Sequence, residues 1–194
     1  FYSALLLFLL SDGSFQINKQ YYFTQVFSDM WDRLLVGRVD SSWSAIRDEA
    51  FVVRERYIAY FLPFPALVRG TLSLFGLKGS AIASQILASL VFAFSSLGIF
   101  LILLKKICIR SIKLKRYSIA IGSIFLILCS PITIMSSYPM TYWESISWGC
   151  AIYALTLALA LYLLDFPRHY FLIPIFSIVC GCNFFTRPTF GLSA

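Results

Sequence analysis

The side chains able to act on another molecule are few in this 194-residue sequence, and they gather at the margins of apolar runs. Asp12 follows the apolar stretch Phe1–Leu10 at once, within Ser11-Asp12-Gly13. A carboxylate there has the means to take the proton of a hydroxyl nucleophile at a membrane surface; the same residue also reads as a helix end in water. Asp48 and Glu49 are adjacent, so they share neither a helix face nor a strand face and flank a substrate only if a turn splays them. Arg54 and Arg56, if extended, point the same way, toward a phosphate or balanced by Glu55 in solvent. Arg69 lies in the apolar run after Pro63 and Pro65, where a guanidinium must snorkel, pair or bind an anion. Its fixed fork of donors suits a phosphate. Glu144, between Trp143 and Ser145, and Arg187, between Thr186 and Pro188, stand at the ends of two later runs and either line a polar cavity or pair with each other. Tyr60, Tyr142, Trp143 and Trp148 offer faces on which a sugar can stack, although aromatics also collect at bilayer interfaces without any ligand.

Other chemistries find little footing. Cys108, Cys129, Cys150, Cys180 and Cys182 make no disulfide framework, and the Cys180/Cys182 spacing needs a second ligand cluster that the single His169 does not supply. No Gly-rich phosphate loop, His-based metal pattern or haem motif occurs. The formal charge of +7 is concentrated, since six of the sixteen Lys and Arg residues lie in Lys105–Arg116. Topology and anionic headgroups account for it, and nucleic acid is not an expected partner.

The elements that must position these residues follow from composition. With 59% hydrophobic and 13% charged residues in repeated long runs, the chain reads as an integral, multi-pass membrane protein, an all-α polytopic bundle. Residues 1–10 read as the end of a first transmembrane helix, 80–104 as the clearest span, and 117–137, 148–164 and 170–187 as three more. The basic loop 105–116 faces the cytoplasm by the Lys/Arg bias. Parity then makes 165–169 a cytoplasmic turn and puts 11–79 and 138–147 on the extracytoplasmic side. Residues 188–194 follow an apolar run with no polar tail, so the chain reads as a fragment of a larger protein. Within the long loop, Val26, Phe27, Met30, Trp31, Leu34 and Leu35 recur at helical spacing, with Gln25, Asp29, Asp32 and Arg33 on the other side. That is an amphipathic helix closed near Gly37, either packed on the bundle or lying on the bilayer. Residues 47–57 read as a polar turn with a short extended piece. After Pro65 a helix starts toward Phe75, too short to cross a bilayer and hence interfacial or re-entrant.

The order of these features resembles a known group. Asp12 after a first span, the loop helix ending Leu34-Leu-Val-Gly-Arg-Val-Asp40, then Tyr60-Phe-Leu-Pro-Phe-Pro-Ala-Leu67, Tyr142-Trp-Glu-Ser-Ile-Ser-Trp-Gly149 and Thr186-Arg-Pro-Thr189 are similar to the N-terminal half of polytopic membrane glycosyltransferases of the C-type superfold. The resemblance implies transfer of a sugar from a polyprenyl-phosphate carrier to a glycan or lipid acceptor on the extracytoplasmic side. It implies that Asp12 acts as base or orients the acceptor and, where present, a divalent metal. Arg69 and Arg187 would contact the donor phosphate, Glu144, Tyr60, Tyr142 and Trp143 would line the site, and Asp48 and Glu49 would be additional acids. Two other readings stay open on the same residues: a transporter or channel-like subunit, and a non-catalytic scaffold of a membrane assembly.

Overall fold

The computed structural model of the chain describes residues 2–17, 19, 24–47, 50–59, 63–77, 79–106, 117–124 and 141–186. Most of these are helical. Helix α1 spans Tyr2–Leu10, α2 Val26–Leu35, α3 Trp43–Ile46, α4 Phe64–Leu74 and α5 Ala81–Lys106. Residues 117–124 form α6, followed by α7 at Thr141–Asp165 and α8 at Leu172–Thr186.

α2 forms where the apolar spacing places it, and it buries Val26, Phe27 and Met30 against Ala66 of α4. Packing therefore prevails over lying free on a bilayer. Gly37, at φ 73°, closes the helix so that the Arg38 N–H returns to the Arg33 carbonyl at 2.9 Å, a left-handed turn that glycine enters without a Cβ penalty. α4 begins at the prolines. Pro63 is its N-cap and Pro65 sits in the first turn, where a missing N–H costs nothing and the ring's fixed φ already suits the helix.

Between α3 and α4 the extended piece is a complete antiparallel hairpin, β1 at Ala50–Val53 and β2 at Arg56–Ala59, with Ala50 opposite Ala59 and Val53 opposite Arg56. The fold is thus mostly helical rather than all-α. Arg54 and Glu55 make the two-residue turn with φ of 50° and 62°, the left-handed geometry that matches strand twist in tight hairpins and is usually filled by Asn and Gly. Arg54 occupies the turn and Arg56 the strand, so the two arginines do not share an extended face.

α5 and α7 are long and apolar enough to cross a membrane, and α8 is a shorter apolar helix. Trp148 Nε1 donates to Ser84 Oγ at 3.0 Å near the N-terminal ends of α5 and α7, and Lys106 pairs with Asp165 at 2.9 Å at their C-terminal ends. The two helices therefore run parallel. Small residues along the seam, among them Ser84, Ala88 and Ala151, are buried and let the backbones approach. α8 comes back beside α7, packing Val179 and Cys182 on the Ala88, Trp148 and Ile152 cluster. α6 reaches α5 where Gly122 faces the Phe100 ring, so closely that a Cβ would fall 2.3 Å from it. Leu6 and Leu10 of α1 pack on Ile82. Ser80 caps α5, its Oγ accepting the Ala83 N–H at 3.1 Å and donating to the Ile17 carbonyl at 2.5 Å, a cap worth about 1 kcal/mol.

α7 starts at Thr141 rather than at Trp148 and so takes in Tyr142, Trp143 and Glu144 from the expected loop 138–147. Of the expected span 117–137 only 117–124 is described, and residues 107–116 of the basic segment lie outside the described residues.

Candidate functional site

α2 and its entry, α4, the Gly79 turn before α5 and the first turn of α7 meet around one buried ion pair. Arg69 of α4 is 2% exposed and Glu144, in the first turn of α7, is fully buried. The guanidinium meets the carboxylate in a fork: Nε donates to Oε1 at 3.0 Å and Nη2 donates to Oε2. Nη1 donates to the Thr24 carbonyl, to Ser28 Oγ at 3.1 Å and to the Gly79 carbonyl at 3.5 Å. The Phe27 ring lies 5.6 Å from the guanidinium carbon, within range of a cation–π contact. Two buried charges persist only when paired and fully hydrogen-bonded, and both conditions hold. Arg69 was expected to meet a carrier phosphate. Its fork is instead occupied by Glu144, and its third nitrogen by three oxygens of the chain.

Beside this pair opens a cleft of about 400 Å³. Its walls carry Gln25, Ser28, Asp29 and Asp32 from the polar side of α2 and its entry, and Ser42 and Ser44 from α3. A smaller recess of about 60 Å³ shares Ser28, Asp32 and Gly79 with it and reaches Trp31, Arg69 and Ser73. Asp29 is engaged: its Oδ2 accepts the Ser42 N–H at 2.7 Å, its Oδ1 accepts the Ser42 hydroxyl at 2.9 Å, and Arg33 Nε stands 3.3 Å away. Asp32 is exposed and has no hydrogen-bond or ion-pair partner among the described residues. The Trp31 indole lies across α4 at Gly70, where a Cβ would come within 2.2 Å of Cδ2.

A second ionic group secures this wall. Asp40 accepts Arg33 Nη1 at 2.9 Å and is gripped by Arg38 through Nε at 2.9 Å and Nη2 at 2.5 Å. The hydrogen bond from Arg38, followed by the charges of both arginines, outweighs burial and holds the Asp40 carboxyl down at about 2 against an ordinary 3.8. Because the folded value is the lower one, the stability Asp40 contributes is whole above about pH 4 and is lost as pH falls through about 2. The gap in melting temperature between the wild type and Asp40→Asn therefore narrows as pH drops across that window. A gap that stays constant from pH 5 to pH 2 would contradict the assignment.

The other residues singled out in the sequence are dispersed. Asp12 sits at the turn after α1 with φ 50°, pairs with Lys19 at 2.9 Å, and does not line the cleft. Tyr142 is exposed at the start of α7 and Trp143 is half-buried. Trp148 is a core residue, edge-on to Phe64 at 5.4 Å, and has no free face for a sugar. Tyr60, Asp48, Glu49 and Arg187 lie outside the described residues, so the proposed Glu144–Arg187 pairing falls there too, while Glu144 itself is satisfied by Arg69. Asp32 and Ser28, which line the cleft, and Trp31 of the adjoining recess were legible only as members of an amphipathic helix. The one local sign was the three-residue spacing of Asp29 and Asp32. The described residues gather no set of three His, Cys, Asp or Glu side chains suited to a metal ion.

Fold and site together define a mostly helical protein with two helices able to span a membrane and, at one end of them, a small subdomain enclosing an acidic, hydroxyl-lined cleft. No protein-family model, curated protein or solved structure matches the chain.

Proposed function

We propose that this chain belongs to a multi-pass membrane protein that transfers a sugar from a polyprenyl-phosphate carrier to a hydroxyl-bearing acceptor on the extracytoplasmic side. The observation that carries the reading is the position of the cleft, open and polar at the N-terminal ends of α5 and α7. Lys105 and Lys106 end α5 at the opposite pole, and the basic run to Arg116 continues from them. Positive residues favour the cytoplasm, which leaves the cleft outside. A lipid-held donor aligned with the helices and a water-borne acceptor meet at that level, and a carboxylate is needed there to accept the acceptor's proton as the new glycosidic bond forms. The test is direct: membranes containing the full-length protein, supplied with radiolabelled polyprenyl-phosphate hexoses and pentoses and with octyl glycosides as acceptors, are expected to yield labelled octyl disaccharides. Membranes that transfer no label from any of these donors would refute the reading.

One observation favours solute passage as a second reading. Gln85 of α5, Ser147 of α7 and Asn183 of α8 are fully buried, and their side-chain polar atoms find no partner among the described residues. Such groups inside spans commonly mark a path or site.

A further inference from the structure

We infer that Asp32 is the carboxylate that deprotonates the acceptor, and that the cleft it lines holds an uncharged saccharide. This rests on the transferase reading and adds to it the acceptor class and the base. Asp29 and Asp32 are the two carboxylates of the cleft; Asp29 is held by Ser42 and Arg33, whereas Asp32 has no hydrogen-bond or ion-pair partner among the described residues and is open to receive a proton. Asp32 also lines both the cleft and the recess, so a hydroxyl seated at their junction lies beside it.

The lining identifies the ligand. Ser28, Ser42, Ser44 and Gln25 offer neutral donors and acceptors, which match a polyol. The nearby cations are engaged, Arg69 with Glu144, Thr24, Ser28 and Gly79 and Arg33 with Asp29 and Asp40, and two carboxylates repel an anion. A phosphate is therefore not the ligand of the cleft floor, and the donor's phosphate reaches only its edge, one bond from the anomeric carbon that the acceptor attacks. Trp31, seated against Gly70, lines the adjoining recess and not the cleft itself. The volume, about 400 Å³, falls within the ~300–1,000 Å³ typical of small-molecule sites.

In the step itself an acceptor hydroxyl oxygen bonds to the anomeric carbon while that carbon's bond to the phosphate oxygen breaks. The hydroxyl proton passes to the Asp32 carboxylate, and the polyprenyl phosphate leaves with the bonding electron pair. Asp32→Asn keeps the shape of the side chain and removes its basicity. In the membrane assay with octyl glycoside acceptors, it is expected to lower kcat by about 10²–10⁴-fold, the usual share of general base catalysis. The KM for acceptor should stay within a few-fold and the melting temperature should not change. Glu55→Gln, which removes a carboxylate from the hairpin turn, should leave kcat as it is. Wild-type transfer with kcat undiminished in Asp32→Asn overturns the base assignment alone. A wild type that transfers nothing overturns it together with the transferase reading.

Discussion

Glu144→Ala in the full-length protein is expected to cost about 3–5 kcal/mol of stability, the range for removing one member of a buried ion pair. The loss is large because of what remains. Arg69, 2% exposed, would keep a positive charge largely withdrawn from water, with Nε and Nη2 left without their carboxylate acceptors. The pair also joins parts distant in the chain, α4 to the first turn of α7 directly and both to Thr24 and Gly79 through Nη1. Its loss should therefore loosen the loop subdomain from the long helices. Arg69→Met combined with Glu144→Leu removes both charges and keeps most of the volume, so the double variant should recover most of the single loss. It retains a deficit of about 1–3 kcal/mol for the hydrogen bonds that Nη1 gave to the Thr24 and Gly79 carbonyls. Unfolding in detergent micelles, followed by heat or denaturant, measures all three variants. A double variant no more stable than Glu144→Ala would show that the charge left behind is not the cause.

Gly70→Ala is expected to destabilise by about 1–3 kcal/mol, as over-packing does, although alanine is the better helix former by about 1 kcal/mol. Its methyl would sit 2.2 Å from Cδ2 of Trp31, against a rigid ring that has no flexible end to swing aside. The ring must move off α4, and with it a wall of the recess. Gly98→Ala in α5 provides the contrast, since a Cβ there meets nothing within 4 Å; it should be neutral or stabilising by up to about 1 kcal/mol. Adding Trp31→Leu to Gly70→Ala should restore part of the loss, as the smaller side chain vacates the space. Equal effects at positions 70 and 98 would mean that the indole does not hold its place.

Local order was legible in the residues. The apolar spacing from Val26 to Leu35 marked α2, Gly37 marked its end, and Pro65 placed the start of α4 to within two residues, because each rests on neighbours within one turn. The apolar run 80–104 and the lysines after it likewise announced α5. The hairpin was harder to read, since Arg54 and Glu55 fill a turn whose left-handed backbone usually shows itself through Asn or Gly. The early start of α7 was hidden by polar residues, Thr141, Glu144 and Ser145, which are buried only because the subdomain covers that turn.

The partner of Arg69 depended on the tertiary structure. The sequence by itself required that a guanidinium in an apolar run be paired, snorkelled or bound to an anion, and it brought Glu144 to notice. Seventy-five residues separate them, and no periodicity reaches across that distance. The choice among carboxylates was made by the packing of α4 on α2 and by the alignment of α5 and α7 side by side. The same packing left Asp12 paired with Lys19 beyond the cleft and turned Asp32, one polar residue among several on α2, into its unpartnered acid. Spacing along a helix determines which residues share a face; only the meeting of faces decides which of them share a site.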